Sequence, residues 1–342
     1  MRHHIVLDIE HSADDGDLES RMRRIGLDFN FVYAPVSHLR ESEWSRWTNI
    51  LPAYLQAARK ALAGMGQEDH LIFLTATGLA LTAATLCSSS LKTAPKISVL
   101  NFIYRRRSWP VGRLLDVFVE RALDQMNFIG VPSHGAAEEY RQHFPKAASR
   151  IHVLPTWCGF PEAAPVVTPS SVPVFSGGRS MRDYETLIEA LDILKVSALI
   201  AASRTAVEAL AIPPGVTLHF DVAEPIFANL MMQASVVVVP LQAAGFDAGQ
   251  SVVLQAMCYG KPVVATNTAG LSEYIDHGKT GLLVPPSDPH ALAHAIKTLL
   301  DDFKLASSLG SEARKVYWER YSRDAFVERL AATFGESSGN RS

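Results

Sequence analysis

Cysteine is scarce in this chain, with only Cys87, Cys158 and Cys258 among 342 residues. An odd number at wide spacing fits neither a disulfide framework nor a metal-ligand pattern, so the three read as buried thiols in a reducing compartment. A surplus of charge is lacking as well. The 32 basic and 35 acidic residues leave a net charge of −3, which carries no nucleic-acid footprint. Long apolar runs are missing too. The most apolar stretch, Leu71–Leu86, contains four threonines and is too short for a membrane span, so a core strand followed by a packed helix is expected there. Met1–Glu10 has no basic segment followed by a long apolar one, so no secretory signal is expected. These absences point to a soluble, cytoplasmic protein. The Gly64-Met-Gly66 pair follows a helical pattern instead of a strand, which excludes a dinucleotide fingerprint. No Asp-x-Asp pair sits at a strand end; Asp14-Asp15 and Asp301-Asp302 read as solvated acids. Neither a metal nor a resident cofactor is therefore expected.

What is present is ordinary globular composition, 48% hydrophobic and 20% charged, at a length that suits two domains. Short apolar runs recur throughout. In the first half they are Ile5–Ile9, Phe29–Tyr33, Leu71–Thr75, Ile97–Leu100, Asn127–Val131 and Ile151–Leu154. The second half has Val172–Phe175, Ala198–Ala201, Val216–Phe220, Ser235–Pro240, Pro262–Thr266 and Gly281–Val284. Alternation of such runs with helical patterns predicts parallel sheets covered on both faces, an α/β fold of two doubly wound domains with a cleft between them. Asp288-Pro289 predicts a helix start, continued by Leu292, Ala295, Ile296, Leu299 and Leu300 at helical spacing. Gly159–Pro173, with four prolines and few large apolar residues, reads as the linker. The expected organisation is a first domain over residues 1–160, a second over 171–320 and a final helix over 321–342.

Charge is unevenly placed along the first half. From Lys92 to Arg113 the chain carries Lys92, Lys96, Arg105, Arg106, Arg107 and Arg113 without an acidic residue, interleaved with Phe102, Tyr104 and Trp109. Three readings fit: a solvated loop face, a site for an anionic substrate, or contact with an anionic membrane surface, where each basic residue adds about 1 kcal/mol.

The segment Ser235–Val284 carries the chemistry. A strand, Ser235–Pro240, runs into a loop holding Gly245 and Gly249, and a helix follows from Gln250 to Tyr259, closed by Gly260. The glycines let the backbone turn tightly and approach a ligand. The first amides of the helix have no partner within it, which suits a diphosphate.

Gly249-Gln-Ser-Val-Val-Leu-Gln-Ala-Met-Cys-Tyr-Gly-Lys-Pro-Val-Val-Ala-Thr266 resembles the donor-site signature of family 4 of the retaining glycosyltransferases, which have the GT-B fold. The likeness continues through Gly270–Ile275 and Gly278–Pro286 to Asp288, and upstream Phe175-Ser-Gly-Gly-Arg-Ser180 resembles the glycine–arginine turn that opens the same domain. It implies a hexosyltransferase using a nucleotide-diphosphate sugar, without a metal. The donor would be held by Gly177, Gly178, Arg179, Gly249, Gln250 and Ser251. The family carries two glutamates eight residues apart, and Asp247 and Gln255 stand at these positions. Asp247 keeps the charge that faces the donor sugar, with a shorter reach. Gln255 keeps an oxygen for the ribose hydroxyls but gives up the charge. Where the family has a phosphate-binding lysine this chain has Asp183 and Tyr184, and Arg182 is the substitute cation. Glu273 matches a glutamate that orients the site loops. Of the histidine that assists in the family's first domain, Asn101 occupies the expected strand end, which leaves His11 as the alternative.

The first half resembles the family weakly, through Gly130–His134 and Ile151–Pro155. Arg21, Arg23 and Arg24, together with the basic segment, suggest an anionic or lipid-linked glycan acceptor, such as a polysaccharide precursor, and peripheral contact with an anionic membrane. Two other classes stay open: a nucleotide-sugar epimerase or hydrolase of the same fold, and an inactive nucleotide-binding subunit motivated by the departures at 247 and 255.

Overall fold

A computed structural model describes residues 3–7, 15–24, 29–33, 51–63, 65, 69–73, 96–104, 117, 119–158, 160, 172–243 and 248–334. The chain divides into two units, one of Met1–Pro155 with Phe326–Ser342, the other of Thr156–Ala325.

In the first unit, strands β1 (His3–Leu7), β2 (Phe29–Tyr33), β3 (His70–Phe73), β4 (Lys96–Val99), β5 (Phe128–Val131) and β6 (Ile151–Val153) lie in the order β2-β1-β3-β4-β5-β6, every pairing parallel. Helices α1 (Asp15–Arg24), α2 (Leu51–Ala63) and α3 (His134–His143) belong to this unit. An all-parallel sheet must be covered on both faces, and a cluster built on Leu71, Phe73, Val99, Phe102 and Ile129 forms its core. Arg21, Arg23 and Arg24 occupy the last turn of α1, where positive charge complements the carbonyl end of a helix.

The second unit repeats the plan. Strands β7 (Val172–Gly177), β8 (Ala198–Ala202), β9 (Val216–Phe220), β10 (Ala234–Val239), β11 (Val263–Thr266) and β12 (Leu282–Val284) lie in the order β12-β11-β10-β7-β8-β9, again all parallel. Between them run α4 (Tyr184–Leu194), α5 (Arg204–Val207), α6 (Glu224–Met232) and α7 (Gln250–Cys258), followed by α8 (Pro289–Asp301) and α9 (Phe303–Val316); α10 (Arg323–Phe334) starts in this unit and belongs from Phe326 onward to the first. The unbroken Val236–Val239 run is fully buried, as a central parallel strand requires. Asp288 caps α8 by accepting from the amide of Ala291 at 2.9 Å, with proline at the first position. Gly260 ends α7 at φ 67, and the Lys261 amide reaches back to the Ala256 carbonyl, a closure that only a left-handed residue permits.

Each of the twelve apolar runs becomes a strand, with ends shifted by a residue or two. Val172 and Pro173, where the expected linker and the expected strand Val172–Phe175 overlap, begin β7. No helix of the described residues is long and apolar enough to cross a membrane.

Candidate functional site

Strand order reverses between β7 and β10, since successive strands are added outward on either side of that pair. At such a reversal the loops leaving the two carboxyl ends diverge and open a crevice. The loop after β7 is Gly178–Asp183 and the loop after β10 begins at Pro240. They are joined to each other: the Asp183 amide donates to the Pro240 carbonyl at 3.1 Å and the Gln242 amide to the Met181 carbonyl at 3.0 Å.

The β7 turn is locked from within. Gly177 lies against the Phe227 ring, where an added Cβ would come within 2.5 Å, and Gly178 adopts φ 118. The buried Arg182 donates from Nε to the Gly177 carbonyl at 2.9 Å and from Nη1 to the Ser180 carbonyl at 2.8 Å. Two of its five donors thus serve the turn itself. Burial lowers its pKa, yet a guanidinium stays charged. The Tyr184 hydroxyl donates to the Gly178 carbonyl at 2.6 Å, and Asp183 caps α4 through the amide of Thr186. Arg179, by contrast, is exposed and pairs with Asp221 at 2.9 Å.

Across the reversal, Gly249 is the N-cap of α7 at φ 87, with no side chain to cover the helix end. A Cβ there would sit 3.1 Å from Val239 Cγ1. Ser251 is exposed in the first turn, while Gln250 is buried and its Nε2 has no hydrogen-bond partner. A turn bearing an outward arginine and an uncovered helix N-terminus, following the two central strands of the sheet, are groups that can hold a multiply charged anion.

Deeper along α7, Gln255 is 2% exposed. Its Nε2 donates to Glu224 Oε1 at 2.5 Å and lies 3.5 Å from the Tyr259 hydroxyl. Glu224, in the first turn of α6, escaped the sequence reading. Glu224-Pro225 looks like an ordinary acidic helix start, and nothing in the sequence joins it to a residue 31 positions away. Burial raises the pKa of this carboxyl, and the Gln255 hydrogen bond opposes the shift. Glu273 lies half-buried in the turn after β11, and its carbonyl accepts from the Tyr321 hydroxyl at 3.3 Å.

The structure therefore gathers Gly177, Gly178, Arg179, Arg182, Gly249, Gln250 and Ser251 around one strand reversal. Asp247 and His11 lie outside the described residues, as do Gly245 and the basic residues Lys92, Arg105, Arg106, Arg107 and Arg113. Asn101, which follows β4, keeps a buried Oδ1 without a partner.

Two doubly wound parallel units of this kind define the GT-B class of fold. The chain resembles sucrose-phosphate synthase from Thermosynechococcus elongatus with a TM-score of 0.73 at 17% identity, covering 98% of both chains. It also resembles Anabaena HepE in complex with UDP and glucose, with a TM-score of 0.66 at 15% identity, covering 98% of this chain and 99% of that one. At such identities the likeness is one of fold. Residues 174–302 match the family described as Glycosyl transferases group 1, so the chain carries a Glycosyl transferases group 1 domain. Over 124 residues it is 36% identical to a D-inositol 3-phosphate glycosyltransferase of Paenarthrobacter aurescens, a match covering 36% of this chain and 25% of that protein. The chain thus spans about a quarter of the length of this curated relative.

Proposed function

We propose that the protein is a retaining, metal-independent glycosyltransferase whose second unit holds a nucleotide-diphosphate sugar. The observation that supports this reading is the joining of the two loops at the β7–β10 reversal, with the Arg179 turn following one strand and the uncovered start of α7 following the other. Arg179 supplies a bidentate cation for the diphosphate and the α7 amides supply neutral donors. Negative charge grows on the leaving phosphate as the sugar departs, so donors fixed beforehand stabilise the transition state more than the ground state. Together they do what a metal would otherwise do. Arg182 holds the turn in shape, and Glu273 orients the neighbouring loop.

In the proposed reaction the bond from the sugar's anomeric carbon to the phosphate oxygen breaks. The acceptor hydroxyl oxygen bonds to the same face of that carbon, and its proton passes to the leaving phosphate. Asp247 faces the donor sugar and His11 assists at the acceptor. The first unit takes the acceptor, a lipid-linked or anionic glycan, and its basic segment meets an anionic surface.

The decisive experiment is a thermal-shift and calorimetric panel of UDP, GDP, ADP and their sugars, each with magnesium and with EDTA. One nucleotide should stabilise the protein equally under both conditions, and Arg179→Ala should abolish the shift. Dependence on magnesium overturns metal independence. Binding without any loss of donor sugar, whatever acceptor is offered, favours the inactive-subunit reading that Gln255 motivates. Donor consumption without a second sugar favours an epimerase or hydrolase.

A further inference from the structure

Gln255 stands where the resemblance expects a carboxylate for the ribose hydroxyls, yet a carboxylate is present at that place. It comes from a different element. Glu224, carried on the first turn of α6, accepts from Gln255 Nε2 at 2.5 Å. An ionised carboxylate can only accept, so the amide must turn its NH₂ toward Glu224 and its Oε1 away. The α6 helix is anchored at the site by Phe227, one turn beyond Glu224, whose ring stands 5.1 Å from that of Phe175 and closes over Gly177. Glu224 is therefore held beside α7 and close to the glycine turn. Among the described residues no cation pairs with it, and its one hydrogen bond uses one of roughly four acceptor positions on the carboxylate. Two or more acceptor positions facing a 1,2-diol match two hydroxyl donors.

We propose that Glu224 is the hydroxyl-binding carboxylate of the donor site, accepting from the ribose diol of the nucleotide while Gln255 orients it. The charge lost at position 255 has moved to α6, and the pair is read as a unit: carboxylate on one helix, amide on the other. This rests on the nucleotide-sugar reading given above.

The test is calorimetric titration of the full chain with UDP, GDP and ADP and with their 2′,3′-dideoxy forms. The nucleotide that binds should lose about 10- to 100-fold in affinity without its diol, the range expected for hydrogen bonds to a charged acceptor. Glu224→Gln should lose a comparable factor toward the ribonucleotide and almost none toward the dideoxy form. Gln255→Glu should weaken ribonucleotide binding as well, because two carboxylates then face each other. The double exchange Glu224→Gln with Gln255→Glu restores one carboxylate and one amide, and should recover most of the discrimination. A purely structural role for Glu224 would lower both affinities together. If wild type binds a nucleotide but Glu224→Gln keeps the full diol discrimination, the assignment of Glu224 is wrong and the donor reading stands. If none of the three nucleotides binds wild type, the donor reading itself fails, and this assignment with it.

Discussion

Arg179 and Asp221 meet at 2.9 Å with side chains 68% and 58% exposed. An ion pair so open to water adds little to stability. Its effect falls on binding, because a diphosphate must draw Arg179 away from Asp221. Asp221 also lies at φ 47, a left-handed conformation that asparagine and aspartate tolerate better than other side chains. Asp221→Asn should thus leave unfolding free energy within about 0.5 kcal/mol of wild type. It should tighten binding of the preferred nucleoside diphosphate about two- to fivefold, the range of an exposed pair, and the gain should shrink as salt rises. Calorimetry at two ionic strengths checks both. Unchanged affinity at low salt would mean that the pair does not compete with phosphate. His70 gives a second residue-level expectation. It is buried, with Nε2 2.8 Å from the Ser98 hydroxyl, and burial, then His3 and Lys96, lowers its pKa to about 3. The unfolded chain takes up this proton near pH 6.5 and the folded one only near 3. Stability contributed by neutral His70 is therefore complete above 6.5 and is lost progressively as pH falls toward 3. His70→Gln should remove about one proton's worth of that slope from an acid-unfolding series.

Helix α7 depends on a glycine at its first boundary. Gly249→Ala would force a side chain to φ 87 and bring its Cβ to 3.1 Å from Val239 Cγ1. The expected cost is about 1–2 kcal/mol, read by urea unfolding. Nucleotide affinity should fall as well, because the amides at the helix start are displaced. A variant equal to wild type in both would remove α7 from the site. The boundaries of such elements were legible in the chain itself. Buried strands had to be apolar runs, and Asp288-Pro289 had to open a helix. The acids at 301 and 302 are exposed as expected, but each also serves its own helix, Asp301 by pairing with Lys297 at 2.7 Å and Asp302 by capping α9. Asp183, noted only for standing where a lysine was expected, caps α4. These roles depend on neighbours three or four residues away and could have been read from spacing. The burial of Arg182 and the meeting of Glu224 with Gln255 could not. Both arise from the order in which strands are added to the sheet, which brings together residues that no local pattern relates.

At the scale of the whole molecule, the described residues form two sheets of six strands each in separate units, and the proposed donor site belongs entirely to the second. A ligand that binds only folded protein stabilises by RT ln(1 + [L]/Kd), about 2.7 kcal/mol at a hundredfold excess. In scanning calorimetry the bound nucleotide should raise the transition of the second unit, whereas acid acting through His70 should lower that of the first. Equal movement of the whole profile in both cases would mean that the two units unfold as one. Their segments also differ in continuity. The second unit is one stretch, Thr156–Ala325, while the first is completed by Phe326–Ser342, with Phe334 packed against His3, His70 and Phe128. A ribosome making this chain delivers every residue of the donor half before the other half has its last piece. The strands of the first unit are made before the second unit and sealed only after it, so a chaperone guarding the nascent chain has its longest duty on the first unit.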